Sequence, residues 1–179
     1  LGVSACATCD GFFYRKKTVA VVGGGDTACE EATYLAGICK KVYMIVRRDV
    51  LRASEAMQER VRNTENIEVL WNCNTQEVLG DEYGVTGARL VRKDGEVFDI
   101  AVDGFFLAIG HHPNSDVFRE WIEVDKEGYI VTDGKTSKTN VPGVFAAGDV
   151  QDPLYRQAIT AAASGCRAAL DAEKFLKML

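Results

Sequence analysis

The sequence predicts an α/β fold built in three layers around a parallel sheet, with an antiparallel β-meander inserted and part of a second α/β unit at the end. Three observations predict it. Short apolar, β-branched runs at 18–22, 41–46 and 67–71 alternate with helical patterns at 26–37 and 53–63, as parallel strands joined by crossover helices do. Segments 75–80, 85–93 and 96–102 then follow one another with turn signals such as Asp94-Gly95 and no helix between them, which marks a meander. Beyond 112 the composition shifts, and the remaining few strands and single helix can hardly form a core alone. Residues 113–179 are therefore expected to complete a sheet whose other strands lie outside this sequence.

Composition narrows the function classes. A formal net charge of -5 argues against nucleic acid or an anionic membrane as main partner, since both need a positive surface. No apolar run is long enough to span a bilayer and no signal segment opens the chain, so the reading is cytoplasmic. Six cysteines are too few for a disulfide scaffold. The chain opens on Leu1, almost directly at a cysteine pair, and reads as a fragment.

That pair, Cys6-Ala7-Thr8-Cys9, comes first in the chain. Thiols at i and i+3 at the start of a helical turn share one face and can close a disulfide, and a helix N-terminus favours the thiolate. A zinc site would need two more ligands, yet the only histidines are His111 and His112 and no second such pair exists, so no metal is expected. Asp10, next to Cys9, is a candidate acid for a leaving thiolate; its position allows a cap or turn residue equally well. Cys29, Cys39, Cys73 and Cys166 read as small buried residues.

The run Thr18–Val22 leads into Gly23-Gly24-Gly25-Asp26-Thr27-Ala28 and then a helix. Glycines after a strand and at the mouth of a helix form a Rossmann-like dinucleotide loop, with free N–H groups to hold a pyrophosphate. The next strand, 41–46, runs into Arg47-Arg48-Asp49, with Arg52 behind. An acid there would meet the ribose of NAD, whereas guanidinium groups suit the 2′-phosphate of NADP. Segment 104–110 is expected as an apolar strand closing the parallel sheet. His111 and His112 either approach a cofactor or only shape a linker. A small strand at 129–131 and an apolar strand over 142–148 lead to Asp149, an acid where open α/β sheets bind ligands. An alanine-rich helix from about 156 to 178 follows, and its unpartnered face predicts self-association.

Taken together these motifs resemble the low-molecular-weight thioredoxin reductases, flavoproteins with two dinucleotide folds. The residues that carry the resemblance are Cys6-Ala7-Thr8-Cys9-Asp10-Gly11, Gly23–Ala28, Arg47-Arg48-Asp49 with Arg52-Ala53, Ala108-Ile109-Gly110 with Pro113-Asn114, Gly148-Asp149 and Arg156-Gln157-Ala158. The resemblance implies an NADPH-binding domain at 1–112 carrying the redox pair, and the C-terminal part of an FAD-binding domain at 113–179. The family's N-terminal flavin segment, with its own glycine loop, is missing here. Val46 and Leu51 depart from residues common in relatives, with no change of charge.

By that resemblance, electrons pass from NADPH through FAD to the Cys6–Cys9 disulfide and on to thioredoxin, with Cys9 facing the flavin, Cys6 attacking the partner and Asp10 supplying a proton. It further implies cofactor contacts at Gly23, Gly24, Gly25, Asp26, Thr27, Ala28, Arg47, Arg48, Arg52, Ile109, Gly110, Gly148, Asp149, Arg156, Gln157 and Ala158. A homodimer, and a rotation of the two domains hinged near 1–3 and 111–114, are implied as well. The alternatives are a flavoprotein reductase of a peroxiredoxin system, which Arg156-Gln157-Ala158 disfavours, and a non-catalytic NADP-binding module that senses redox state.

Overall fold

The structure, a computed structural model, describes residues 1–179 and divides into two compact units, Leu1–Gly110 and His111–Leu179. The first is built on a five-stranded parallel sheet. Its strands are β1 (Val3–Ser4), β2 (Thr18–Val22), β3 (Lys41–Val46), β4 (Ile67–Trp71) and, much later in the chain, β8 (Gly104–Leu107). Their order across the sheet is β1-β8-β2-β3-β4, all pairs parallel. Helices α1 (Ala7–Asp10), α2 (Asp26–Ala36) and α3 (Glu55–Arg62) belong to this unit, and β5 (Cys73–Asp81), β6 (Gly84–Arg92) and β7 (Val97–Ala101) form the antiparallel meander.

Alternation along the strands explains the three layers. Val19 and Val21 of β2 join Val42, Met44 and Val46 of β3 and Phe106 of β8 in one core, shared with Ala28, Ala32 and Leu35 of α2 and Val61 of α3. The intervening residues Ala20, Ile45 and Phe105 point to the opposite face, where Ala88 and Leu90 of β6 complete a second core. A period-two strand with both faces apolar can only be satisfied by a layer on each side. The helices supply one and the meander the other.

The sheet edge differs from the expectation. Segment 104–110 does not close the sheet: β8 ends at Leu107 and lies inside, with β1 outside it through Val3 opposite Phe105 and Ser4 opposite Phe106. Residues 1–3, expected at a hinge, are bound into this unit, because Val85 N–H donates to Leu1 O at 2.9 Å and Phe105 N–H to Gly2 O at 2.8 Å.

In the second unit, helix α4 (Ala158–Leu176) is the longest element, opened by a capping box between Gln157 and Thr160. The strands expected at 129–131 and 142–148 reduce to single bridges, Ile130 with Val124 and Phe145 with Lys138. Both runs are apolar, but a ladder needs a second strand of equal length beside it. Ser164 is the one buried residue of α4, while Ile159, Leu170 and Leu176 are exposed, so the expected apolar face is there. No helix is long and apolar enough to cross a membrane.

Candidate functional site: a glycine-loop cleft and a redox disulfide

After β2 the chain continues to β3 on one side, and after the meander it returns to β8 on the other. The crevice at such a reversal, beyond the carboxyl ends of the strands, is where open α/β sheets bind ligands. Here it is a cleft of about 840 Å³, lined by Gly23–Thr27 after β2, Arg47, Arg48, Val50 and Arg52 after β3, and Ala108–Gly110 after β8. Ala28 is buried beneath it in the helix core.

The glycines do different work. Gly23 has φ +146°, and a Cβ there would stand 2.7 Å from the Ala28 methyl and closer still to the Ala108 carbonyl oxygen. It is the tight turn that lets the loops after β2 and β8 meet. Gly25 has nothing within 4 Å of a Cβ position, so the fold itself tolerates a side chain there. As the N-cap of α2 with no side chain to cap it, Gly25 leaves the helix N–H groups open to the cleft. Gly23→Ala is therefore expected to destabilise the unit by about 3 kcal/mol, roughly 13 °C in melting temperature. Gly25→Ala should leave melting within about 2 °C while weakening nucleotide binding; thermal denaturation and calorimetry separate the two.

Asp26 opens α2, but its carboxylate turns to the protein. Oδ1 accepts the Ser54 N–H at 2.9 Å and the Ser54 hydroxyl at 2.8 Å. These bonds, the backbone one first, hold Asp26 below the ordinary carboxylate range. Arg52 N–H donates to Gly24 O at 2.6 Å. Together they tie the segment before α3 to the glycine loop and set Arg52 on the cleft wall. Arg47, Arg48 and Arg52 are exposed, and the ion pairs of the chain involve none of them. Three uncompensated guanidinium groups beside an uncapped helix N-terminus and a side-chain-free loop fit a dinucleotide with an extra phosphate.

Cys6 and Cys9 form a disulfide with Cα atoms 5.3 Å apart. Cys6 caps α1, its Sγ accepting the Cys9 N–H at 3.2 Å. Cys9 is exposed and Cys6 half-buried. Phe12 and Phe13 follow, 69% and 72% exposed, an apolar surface next to the sulfurs. Asp10 is not a cap with a side-chain bond; its Oδ2 accepts the Ser4 hydroxyl at 2.7 Å. Glu31 of α2 reaches α1 from below: burial pushes its carboxyl up, and the Ala7 N–H pulls it back less strongly. Sequence reasoning missed Ser4, Glu31 and Ser54, because each acts through a tertiary contact that no local spacing announces.

The remaining predicted residues lie in the second unit. Gly148 has φ +77° and donates its N–H to Ser164 Oγ at 2.9 Å, and Asp149 starts a 3₁₀ turn to Gln151. Arg156, at φ +47°, donates its N–H to Asp152 Oδ2 at 3.0 Å, and its guanidinium reaches the Tyr129 hydroxyl and Pro153 O. Gln157 caps α4 and Ala158 is its first residue. Of the other cysteines, Cys29, Cys39 and Cys73 are buried as expected, with Cys29 and Cys39 each pushed up to about 11 chiefly by burial, whereas Cys166 is exposed.

The sequence pattern of pyridine nucleotide-disulphide oxidoreductases matches residues 1–165. A thioredoxin reductase of Coxiella burnetii is 53% identical over 186 residues, covering 99% of this chain and 58% of that protein. A protein of Pseudomonas fluorescens named glucosaminate ammonia-lyase is 54% identical over 182 residues, 98% of this chain and 57% of that protein. Among solved structures, the thioredoxin reductase of Streptococcus pyogenes superposes with a TM-score of 0.92 at 37% identity, across 99% of this chain and 58% of its own. This chain thus spans little more than half the length of these relatives. A sulfur pair closed into a disulfide, a glycine-loop cleft in the same unit and a match over most of the sequence lead to one conclusion: the chain belongs to the pyridine nucleotide-disulphide oxidoreductase family.

Proposed function

We propose that this chain is the nucleotide-binding and disulfide-carrying portion of a thioredoxin reductase, a cytosolic homodimer when whole, which passes electrons from NADPH through FAD to Cys6–Cys9 and on to thioredoxin. The observation that carries this reading is the Cys6–Cys9 disulfide on an exposed helix start, in the same unit as the arginine-lined cleft. Residues 1–112 are the NADPH-binding portion and 113–179 the C-terminal part of the flavin domain. The relatives' names support it.

The α2 N–H groups and Gly25 hold the pyrophosphate, while Arg47, Arg48 and Arg52 hold the 2′-phosphate; Ile109 and Gly110 bound the far wall. Bound FAD supplies the relay between nicotinamide and disulfide. In this chain Gly148, Asp149, Arg156, Gln157 and Ala158 would hold it. The chain has a single glycine loop, so the flavin pyrophosphate needs a second one from the rest of the protein. At the sulfurs, one thiolate of the reduced pair attacks the partner disulfide and the other resolves the mixed disulfide. Cys6, as N-cap, is the better thiolate, and exposed Cys9 is the better placed for a folded partner. The likeness to a protein named as a lyase gives no reason for a redox disulfide, which this chain has.

Calorimetric titration of the chain with NADPH and NADH tests the reading at its base. NADPH should bind about a hundredfold tighter, within reach of two charge-assisted phosphate bonds. Equal affinities would overturn the phosphate assignment, and no binding of either nucleotide would remove the nucleotide site altogether. Reduction of thioredoxin by NADPH with the whole flavoprotein then separates an enzyme from a redox-sensing module.

A further inference from the structure

We propose that Ser4 is the positioning residue that holds the Asp10 carboxyl beside the Cys6–Cys9 pair, so that thiol–disulfide exchange draws on a proton carrier already in place. The inference rests on the redox reading above. Ser4 is itself fixed: it lies in β1 opposite Phe106 and is only 8% exposed. Its hydroxyl accepts the Cys6 N–H at 3.1 Å and stands 2.7 Å from Asp10 Oδ2, against 3.3 Å from Cys6 O. A hydroxyl has one proton to give, and the nearer, charged acceptor takes it. From the other side the Asp10 N–H donates to Cys6 O at 3.1 Å. One hydroxyl on a sheet strand thus pins both the acid and the first cysteine.

Asp10 has little else to hold it. It is half-buried, and the other titratable group facing it is Tyr14, whose phenol is pushed up first by burial and then by the Asp10 charge, and so stays protonated. Without Ser4 the carboxylate is free to turn to water.

The step balances as follows. A thiolate of the reduced pair attacks one sulfur of a disulfide, forming a mixed disulfide and breaking the old bond. The departing thiolate takes a proton, which Asp10 gives after accepting it from the attacking thiol. The second thiol of the pair, giving its proton to Asp10, then attacks the mixed disulfide: the Cys6–Cys9 bond closes, the mixed bond breaks, and the second leaving thiolate takes that proton back from Asp10. The pair is oxidised by two electrons, the partner reduced by two, and two protons pass from one dithiol to the other. A poorly acidic leaving thiol needs that proton, whereas an aryl thiolate leaves without it.

The test uses the chain reduced with dithiothreitol and freed of it, mixed with either glutathione disulfide or dithiobis(nitrobenzoate). Ser4→Ala should slow glutathione disulfide about tenfold, the low end of what one hydrogen bond to a charged group contributes, and leave the aryl disulfide unchanged. Asp10→Asn should slow glutathione disulfide at least about tenfold, and adding Ser4→Ala to it should change nothing more. Ser4→Thr keeps the hydroxyl and should restore the rate, and Ser4→Gly stands in if the alanine variant fails to fold by circular dichroism. Equal slowing with both disulfides, or further slowing in the Asp10→Asn background, would show Ser4 acting through the fold and overturn the proposal. If Asp10→Asn slows the reaction and Ser4→Ala does not, Ser4 alone loses its role. If Asp10→Asn has no effect, the acid assignment falls, and the Ser4 role with it.

Discussion

On the proposed reading, Cys6→Ser and Cys9→Ser should each abolish disulfide reduction, lowering NADPH-driven thioredoxin turnover of the whole flavoprotein by at least about a thousandfold. The expectation follows from electron count. A two-electron exchange needs one sulfur to open the partner disulfide and a second to release the product, and a serine hydroxyl performs neither step at neutral pH. The structure adds a distinction between the variants. With Cys6→Ser the remaining thiol is the exposed Cys9, which a folded partner can reach, so this variant should accumulate the larger fraction of stable mixed disulfide with thioredoxin on a non-reducing gel. With Cys9→Ser the remaining thiol caps α1 and accepts a backbone N–H, which favours its thiolate, so it should react the faster with small disulfides. Turnover above about a hundredth of the parent in either variant is incompatible with this pair being the redox centre.

What could be read from the sequence was local chemistry. The Cys6-x-x-Cys9 pair, the glycines after Val22 and the arginines after Val46 each combine a residue type with an adjacent strand or helix signal, and the structure sets the glycines and arginines on one cleft. Strands β2, β3 and β4 begin and end where their β-branched runs do; both faces of β2 and β3 are buried, while β4, at the sheet edge, leaves Glu68 and Trp71 exposed. What could not be read was pairing over distance. Strand β1 has two residues, and its partner β8 lies about a hundred positions later, so no periodicity betrays it. Asp26 with Ser54, 28 positions apart, is likewise a contact that only the assembled fold makes. Asp26 shows the consequence. By position it belongs to the dinucleotide loop, yet its carboxylate is spent on Ser54, so it shapes the cleft wall from behind.

The second unit was harder for a different reason. Runs 129–131 and 142–148 carry strand composition, but composition reports that a segment wants burial, not that a neighbour is available. Each finds one bridge partner within this chain. The exposed Ile159, Leu170 and Leu176 of α4 express the same shortage on the helical side. This is the pattern expected of sequence spanning little more than half the length of its relatives.

Replacing Arg47 and Arg48 together by Ala should lower NADPH affinity by about a hundredfold and leave NADH within about twofold, erasing the preference. Both side chains leave the carboxyl end of β3, on the side of the cleft reached from the glycine loop by way of Arg52 N–H and Gly24 O. Neither is neutralised by a protein carboxylate, so each meets a phosphate with its full charge. Charge-assisted bonds of this kind contribute about 1.5–3 kcal/mol each where the partner is ionised, and a hundredfold is about 2.7 kcal/mol, within reach of two of them. Because NADH has no 2′-phosphate, it loses nothing when they go. The same electrostatics make the NADPH preference of the parent shrink as salt rises, while NADH binding changes little. Calorimetry on the parent and the double variant at two ionic strengths checks both statements. A parallel loss of NADH affinity would mean that Arg47 and Arg48 shape the whole cleft and do not read the phosphate.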